Sequence, residues 1–339
     1  AWTAGDACAS APKRPSDGGS ALAGPAPYWN TYSYDPAGNR TTETVHGTCG
    51  DTTRSYAYGK SDGTQPDTLT SVSQTGTAGA RTDTFTYDTA GSTTQRVVAG
   101  KTQNLTWDIE GHVATITEGS KTTSFVYDAS GNRLLRKDPT ATTLYLDGQE
   151  LRLDKTTDTL AATRYYAFDG TTLAVRNAAG YKYIVGDQQG TGQWQIAEQT
   201  RTLTRRRTTP FGTDRGTPTG TWTGEKGFVG GTIDATTGLT HLGAREYDPA
   251  LGRFISIDPV FDQTDPKSWN GYAYADSNPV VFSDPDGLNC HSAESCAAYE
   301  KTRKKTGEWG AGIHGYGETP GQQAQRHAYS QARTQFTGM

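Results

Sequence analysis

The stretch FTYDTAGSTTQRV, residues 85–97, decides the fold because its pattern returns along the chain. Each copy has an aromatic residue, then Asp, two variable positions, Gly and a polar run. The other copies are YSYDPAGNRTTET (32–44), LTWDIEGHVATIT (105–117) and FVYDASGNRLLRK (125–137). Tyr87, Trp107 and Tyr127 follow one another at intervals of 20 residues. A fixed period of this kind predicts a repeat architecture.

One copy of the pattern can be interpreted from its local chemistry. Thr84 to Tyr87 alternates polar and aromatic residues, as a half-buried strand does. Asp88 can accept hydrogen bonds from backbone amides two residues on, and Gly91 can take a positive φ. The polar run that follows alternates again, which predicts a hairpin. Because one hairpin is too thin to be stable, successive hairpins must pair edge to edge in a long sheet, with the aromatic residue buried on one face.

The composition agrees with a mainly β protein. Of 339 residues, 33% are hydrophobic, and 41 are glycine. The mean hydropathy is −0.71, which argues against a thick, leucine-rich core. The chain has 18 tyrosines and 7 tryptophans instead, so we expect spaced aromatic residues buried between thin strands. The length allows one large all-β domain or two ordinary domains.

Charge and hydropathy exclude some classes of partner. A net charge of −4 gives no global attraction to nucleic acid or to an anionic membrane. The clear basic cluster is Arg205–Arg207 with Arg215, and we interpret it as a solvated strand or turn rather than a phosphate site. No apolar run approaches the roughly 18 residues of a membrane span. No signal peptide opens the chain, and we interpret it as a piece of a longer polypeptide.

The four cysteines form two pairs in sequence, Cys8 with Cys49 and Cys290 with Cys296. No CxxC spacing occurs, so a zinc site has little support, and we expect neither a metal nor a cofactor. An even number of cysteines permits disulfides in an exported protein without requiring them.

The repeats resemble the tyrosine-aspartate (YD) repeats of Rhs proteins, of the TcC components of Tc toxins and of teneurins. The resemblance continues in two segments, GFVGGTIDATTGLTHLGAREYDPALGRFISIDP (227–259) and NGYAYADSNPVVFSDPDGL (270–288), which are similar to the Rhs-associated core. It implies a spiral of β-hairpins that forms a hollow shell, or β-cocoon, with the core as its plug. It also implies a polymorphic toxin that is secreted or associated with the cell surface and is delivered to competing cells.

The resemblance suggests four regions. Residues 1–27 are a linker or incomplete repeat, and 28–226 are YD-repeat shell strands. Residues 227–288 are the core with its autocleavage motif, and 289–339 are a variable toxin segment, which we expect to be α-helical and either complete or truncated. A shell fragment of this length is expected to be an open, curved part of a cocoon.

The end of the core has the spacing of the family's cleavage motif. Family shells end in Pro, four residues, Asp-Pro, one residue and Gly-Leu, and this motif is present here as Pro279, Asp284, Pro285, Asp286, Gly287 and Leu288. The resemblance implies that the core cuts its own chain between Leu288 and Asn289. The composition changes at the same bond, from strands and turns to a segment of helical character.

The chemistry of such a cut follows from the residues available. Two carboxylates can hydrolyse a peptide without a metal or nucleophile when one activates water and the other protonates the carbonyl. Asp258 in SIDP and Asp284 in SDPDGL are the expected pair, by resemblance. Arg245 is the expected helper, because a guanidinium can hold a carboxylate ionised or stabilise an oxyanion. Taken alone, each Asp before a proline is a common turn residue.

The last 51 residues predict two helices, 292–305 and 322–336. Four residues of this segment could act as general base, phosphate clamp and orienting group in a nuclease or other toxin enzyme. They are His314, Arg326, His327 and Tyr329. A lone helical histidine is more often structural, and these residues do not single out one substrate. Nucleic acid is a possible partner through this segment alone.

The implied partners are the chain's own toxin segment, an immunity protein and an N-terminal delivery region outside this sequence. Two alternatives stay open. One is a cell-wall or carbohydrate-binding protein, which predicts aromatic residues on the outer face and an uncut Leu288–Asn289 bond. The other is a structural adhesion module of the teneurin kind with an inactive core.

Three further residues carry smaller expectations. Asn39 and Asn132 stand beside turn glycines, and we expect them to adopt left-handed backbone. Gln189, in GDQQGTGQW at 186–194, stands where many members of the resembled family have a histidine. No role is assigned to it from the sequence.

Overall fold

A computed structural model describes residues 26–47, 50–168, 170–260 and 266–288. Within these ranges a single large sheet has 17 strands. The strands are β1 Asn30–Tyr34, β2 Arg40–Gly47, β3 Gly50–Tyr58, β4 Leu69–Gly76, β5 Arg81–Tyr87, β6 Thr93–Val98, β7 Lys101–Trp107, β8 Val113–Glu118, β9 Lys121–Tyr127, β10 Arg133–Lys137, β11 Ala141–Leu146, β12 Gln149–Asp154, β13 Thr159–Phe168, β14 Thr171–Asn177, β15 Gly180–Gly186, β16 Gly192–Ala197 and β17 Leu203–Arg205.

Each strand pairs antiparallel with the next one along the chain, from β1 through β17. This is the edge-to-edge stacking of hairpins that the repeats predict, and the mainly β fold is confirmed. Each repeat supplies two strands, so Tyr87, Trp107 and Tyr127 lie at the ends of β5, β7 and β9.

The repeat turn has the predicted hydrogen bonds. Oδ1 of Asp88 accepts the backbone N–H of Ala90 at 2.9 Å and that of Ser92 at 2.8 Å. Gly91 has a φ of +85°, which closes the turn. Asp108 and Asp128 accept the same pair of amide bonds in the next two repeats. The Asp of the pattern is therefore a turn-forming residue.

The aromatic residue of the pattern links neighbouring repeats. Trp107 Nε1 donates to the Thr93 carbonyl at 2.7 Å, and the Tyr127 hydroxyl donates to the Val113 carbonyl at 3.1 Å. In both pairs the acceptor is the second residue after the glycine of the preceding repeat. A Tyr or a Trp fits this position because each has an apolar body and a terminal donor.

A β-bulge in each repeat changes which residues face inward. In the β5–β6 pair, Thr86 is opposite Gln95 but Tyr87 is opposite Thr93, so β6 has one extra residue. As a result Thr93 and Arg96, three positions apart, are both buried. The same spacing buries Arg133 and Arg136 in β10. The bulges therefore place arginines on the inner face beside apolar and aromatic side chains.

The second, smaller sheet lies against this inner face and is called the core sheet here. Its strands are β18 Thr232–Asp234, β19 Leu239–Leu242, β20 Arg245–Asp248 and β21 Arg253–Phe254. In the described part of the chain, three 3-10 turns accompany it, at Phe228–Gly230, Pro266–Trp269 and Ala275–Ser277. A buried aromatic cluster holds the core segments together and includes Phe211, Phe228, Tyr247, Phe254 and Tyr274.

Ion pairs and backbone contacts join the core sheet to the large sheet. Glu246 and Asp248 in β20 pair with Arg133 and Arg96 of the large sheet, each at 2.6 Å. The backbone N–H of Thr93 donates to the Ile255 carbonyl at 3.0 Å. The core is therefore fixed by polar contacts to strands more than a hundred residues away in sequence.

Two expectations about single residues are wrong. Asn39 and Asn132 do not have positive φ; the adjacent glycines, Gly38 and Gly131, take that conformation. The asparagine side chains instead donate to the turn aspartates. Arg206, in the basic cluster, is not solvated. Its guanidinium donates to two backbone carbonyls and lies 3.5 Å from the centroid of the Trp222 ring.

Other expectations fall outside the described residues. These are the two helices after residue 289, all four cysteines and the N-terminal residues 1–25. In the part that the structure describes, no helix is long and apolar enough to cross a membrane.

Candidate autoproteolytic site

Arg245 stands at the centre of the candidate site. It begins β20, directly after the two-residue turn Gly243-Ala244 that joins β19 to β20. The residue is 3% exposed, and its guanidinium lies 3.6 Å from the centroid of the Phe254 ring. Burial and ring stacking hold this side chain in one position.

The Arg245 guanidinium gathers four acceptors from distant segments. Nη2 is 2.6 Å from Asp258 Oδ2 and 3.2 Å from Asp284 Oδ2. Nη1 donates to the Gly271 carbonyl at 2.8 Å, and Nε donates to the Gly287 carbonyl at 2.5 Å. The structure thus brings the three residues expected from the resemblance together around one side chain, next to the end of the cleavage motif.

Asp258 follows β21 and is 5% exposed. Its backbone N–H donates to the Gly271 carbonyl at 2.9 Å, and its Oδ1 accepts the Val260 N–H at 2.7 Å. The other oxygen, Oδ2, makes the short ion pair with Arg245. The Asp258 carboxyl group is therefore held between a guanidinium and a backbone amide.

Asp284 lies in a different electrostatic setting, although it is equally buried at 6% exposure. Burial raises the pKa of its carboxyl to about 7, and the neighbouring charges of Asp258 and Asp286 add to this against the opposing effect of Arg245. Its Oδ1 accepts the Leu288 N–H at 2.9 Å. A carboxyl group with this pKa carries its proton for much of the time at neutral pH and can serve as an acid.

The glycines of the site allow the cleavage motif to approach the core sheet closely. Gly287 has a φ of +66°, and a Cβ there would lie 2.2 Å from the Leu242 carbonyl oxygen. A Cβ at Gly243, φ +49°, would lie 2.3 Å from the Asp286 carbonyl oxygen. The same Asp286 oxygen accepts the Ala244 N–H at 2.9 Å. The glycine of the motif is therefore needed for close contact with the β19–β20 turn.

The remaining motif residues are placed around this contact. Pro285 and Asp286 are exposed, and Asp286 Oδ1 lies 3.3 Å from the Leu288 amide nitrogen. Leu288 is half-buried, and Asn289 lies outside the described residues. Pro279 is a buried residue whose carbonyl accepts a hydrogen bond from Gln189.

The sequence did not predict every residue of the candidate site. The Gly271 carbonyl binds both Arg245 and Asp258, but a glycine in NGY gives no signal of such a role. Asp248, close to Asp258 in sequence, lies elsewhere and pairs with Arg96. The proposed toxin residues His314, Arg326, His327 and Tyr329 lie outside the described residues. Among residues that are described, no group of three or more His, Cys, Asp or Glu side chains is arranged to hold a metal ion.

Solved structures share the fold. The crystal structure of TcdB2-TccC3 aligns with a TM-score of 0.55 at 20% identity, over 76% of this chain and 16% of that chain. The Photorhabdus luminescens Tc holotoxin pore carrying the mutation TccC3-D651A gives a TM-score of 0.53 at 19% identity, over 78% of this chain and 15% of that one. This chain therefore spans a small part of the proteins it matches, and the likeness is one of fold.

Curated relatives match over shorter segments. The tRNA nuclease WapA of Bacillus subtilis (strain 168) is 46% identical over 61 residues, which is 18% of this chain and 3% of that protein. Salivary gland surface protein 1 of Aedes aegypti is 42% identical over 60 residues, 18% of this chain and 2% of that protein.

The family model that matches is the teneurin YD-shell, over residues 26–280. That range includes the repeats and nearly all of the core, and the fold is that of an Rhs and Tc toxin-related shell. The chain belongs to the teneurin YD-shell family.

Proposed function

We propose that this chain is the shell and self-cleaving core of an Rhs-type polymorphic toxin. In this proposal residues 28–226 form shell, residues 227–288 cut the bond after Leu288, and residues 289–339 belong to the released effector. The observation that carries it is the shared guanidinium of Arg245, which binds Asp258, Asp284 and the Gly287 carbonyl together.

The proposed reaction is hydrolysis by a pair of carboxyl groups. Asp258, ionised beside Arg245, takes a proton from a water molecule that attacks the Leu288 carbonyl carbon. Asp284 gives its proton to the carbonyl oxygen as the tetrahedral intermediate forms. The intermediate then collapses, the Asn289 nitrogen leaves after taking the proton from Asp258, and Asp284 recovers its own. The products are a carboxyl group on Leu288 and an amine on Asn289.

The hydrogen bond from the Leu288 N–H to Asp284 supports this assignment. It places the acid beside the residue whose carbonyl is to be attacked. The contacts of Gly287 with Arg245 and of Asp286 with Ala244 hold this bent segment against the core sheet, next to the pair of carboxyl groups. A reacting bond that is held in place by its neighbours loses less entropy on the way to the transition state.

The first test is the intact mass of the chain after refolding from urea at several pH values. We expect it to separate between Leu288 and Asn289. The pKa of Asp284 is raised to about 7, so the acid is protonated below that pH and loses its proton above it. The cleavage rate should therefore fall by about ten-fold per pH unit above pH 7. Circular dichroism at each pH checks that the sheet is formed.

Two results would count against the proposal. A folded chain that keeps its full mass at every pH would leave a structural adhesion module as the better account. Cleavage that rises steadily from pH 7 to 9 would contradict Asp284 as the acid and favour a base-limited reaction.

The biological role in this proposal is competition between bacteria. The shell encloses the effector, cleavage separates the two, and a delivery region outside this sequence carries both to a target cell. An immunity protein would protect the producer. His314, Arg326, His327 and Tyr329 remain the candidate effector residues, for a nuclease or another enzyme.

A second function, binding to cell-wall polysaccharide, is favoured by one observation. Gln195 is fully buried and donates to the Thr223 carbonyl, so its neighbour Trp194 in β16 points to the opposite face. Tyr183 and Val185 in β15 lie on that same outer face, and all three are 39–51% exposed. Exposed aromatic rings on the surface of a sheet can stack on sugars.

Co-sedimentation with insoluble cell-wall polysaccharide tests this second function. If the outer face binds sugar, the double variant Tyr183→Ala/Trp194→Ala should stay in the supernatant instead of sedimenting with the polysaccharide. Trp269→Ala is the matched control, because Trp269 is 59% exposed in a 3-10 turn of the core region. Equal loss with the control would show that binding is nonspecific.

A further inference from the structure

The turn between β15 and β16 contacts the chain segment that leads to the cleavage motif. This turn, residues 187–191, is built like the YD-repeat turns: Asp187 Oδ1 accepts the N–H groups of Gln189 and Thr191, each at 3.0 Å. The half-buried Gln189 side chain therefore projects from a fixed backbone. Its Nε2 donates to the Pro279 carbonyl at 2.6 Å and to the Phe282 carbonyl at 3.1 Å.

The segment that Gln189 binds begins at the buried Pro279, but the three residues after it have little apolar packing. Val280, Val281 and Phe282 are 63%, 66% and 45% exposed. The N–H groups of Val281 and Phe282 both donate to the Asn278 carbonyl, which folds the segment into a turn. Asp284 follows two residues after Phe282. Apart from the burial of Pro279, the position of this turn relative to the shell therefore depends on polar contacts, and the Gln189 amide supplies two of them.

The same turn also binds the other end of the core. Thr191 Oγ1 accepts the Val229 N–H at 2.9 Å. Val229 has a φ of +45°, an uncommon backbone for a β-branched residue, so its conformation needs support from neighbours. One shell hairpin thus contacts the core near its first residues and again just before the catalytic Asp284.

We infer that Gln189 is a positioning residue for self-cleavage, and that through it the β15–β16 hairpin of the shell sets the place of Asp284. This inference rests on the proposed function. The chemistry fits an amide: both partners are carbonyl oxygens, and one –NH₂ group offers two donors to them. Cleavage would then depend on a formed shell hairpin, so that the chain is not cut before its shell is in place.

Gln189→Met tests the inference, because methionine has similar length and no donors. We expect cleavage to be about 10-fold slower, since two hydrogen bonds to the segment are lost. Gln188→Met is the matched control: Gln188 is exposed and adjacent, and its change should leave the rate within about two-fold of wild type. Gln189→Lys, which keeps N–H donors, should recover most of the rate.

A second measurement separates positioning from general stability. In an Asp258→Asn background, which keeps the bond intact, hydrogen exchange is followed with and without Gln189→Met. Exchange should become faster in residues 279–288, including the Leu288 amide, while the β15 and β16 amides stay protected. Faster exchange throughout both strands would overturn the inference in favour of a purely structural role.

The two proposals fail in different ways. If wild type is never cut, the proposed function fails, and the exchange measurement still tests the contact itself. If wild type, Gln189→Met and Gln188→Met are all cut at the same rate, self-cleavage stands and the role given to Gln189 is wrong.

Discussion

The Asp284→Asn variant is expected to stay whole at 339 residues, with cleavage slowed by about 1,000-fold. Asparagine has nearly the same shape, and its Oδ1 can still accept the Leu288 N–H. It cannot give a proton to the carbonyl oxygen. Its amide would also direct a donor toward the Arg245 guanidinium, which now lies 3.2 Å from the carboxylate. The acid of the reaction is lost while the segment stays close to its present place.

The measurement is the fraction of cut chain over time, by intact mass. Asp147→Asn is the matched control, because Asp147 is exposed in the tight Asp147-Gly148 turn between β11 and β12, where Asn-Gly is equally favourable. The Asp258→Asn variant should also stay whole, because it lacks the base that activates water. Normal cleavage in Asp284→Asn would remove this residue from the mechanism, even if Asp258→Asn is inactive.

The repeat could be predicted from sequence because its determinants are local. Asp88 and Gly91 close a turn within five residues, and the flanking alternation sets the strands. Short-range hydrogen bonding decides these features, so the sequence pattern contains them. The bulge opposite Tyr87 was not predicted. An extra residue in one strand can be recognised only when the pairing of both strands is known.

The candidate site was predicted for a different reason. Nothing in the spacing of Arg245, Asp258 and Asp284 requires them to meet; the family resemblance suggested the set. They are brought together by contacts of Arg245 with Gly271, 26 residues later in the sequence, and with Asp284, 39 residues later. Gln189 lies 90 residues before Pro279, and its contact has no local signal at all. Local chemistry predicts turns, while the site is assembled by long-range packing.

The Arg133→Met variant is expected to lose about 3–5 kcal/mol of folding free energy. Arg133 and Glu246 are paired at 2.6 Å with side chains 2% and 4% exposed. Burial alone would raise the pKa of Glu246, but Arg133, helped by His241 at 2.8 Å, lowers it to about 2. Removing the arginine leaves a buried carboxylate with a weak partner. Glu246 is next to Arg245 in β20, so the loss should also loosen the site.

Urea unfolding measures this loss, and Arg152→Met is the matched control. Arg152 pairs with Asp154 at 3.3 Å, but the two side chains are 42% and 30% exposed, and such pairs contribute about 1 kcal/mol or less. The double variant Arg133→Met/Glu246→Leu should recover most of the stability, because no unpaired charge stays buried. Equal destabilisation by Arg133→Met and Arg152→Met would contradict the argument.

The difference in folding free energy between wild type and Arg133→Met should depend on pH, and this dependence is the sharper test. In wild type the depressed pKa of Glu246 means that the contribution of the pair is present above the unfolded pKa and is lost as the pH falls toward about 2. Without Arg133, burial favours the protonated form, so the pKa of Glu246 should rise above its ordinary value. Lowering the pH from 7 to 4 then neutralises the buried carboxyl in the variant, while wild type keeps its ion pair. The stability gap between the two proteins should narrow toward pH 4. The Arg133 guanidinium carbon also lies 4.5 Å from the centroid of the Phe125 ring. If the stability gap stays constant from pH 7 to 4, the lost packing of the arginine side chain over this ring causes the destabilisation, and the buried charge does not.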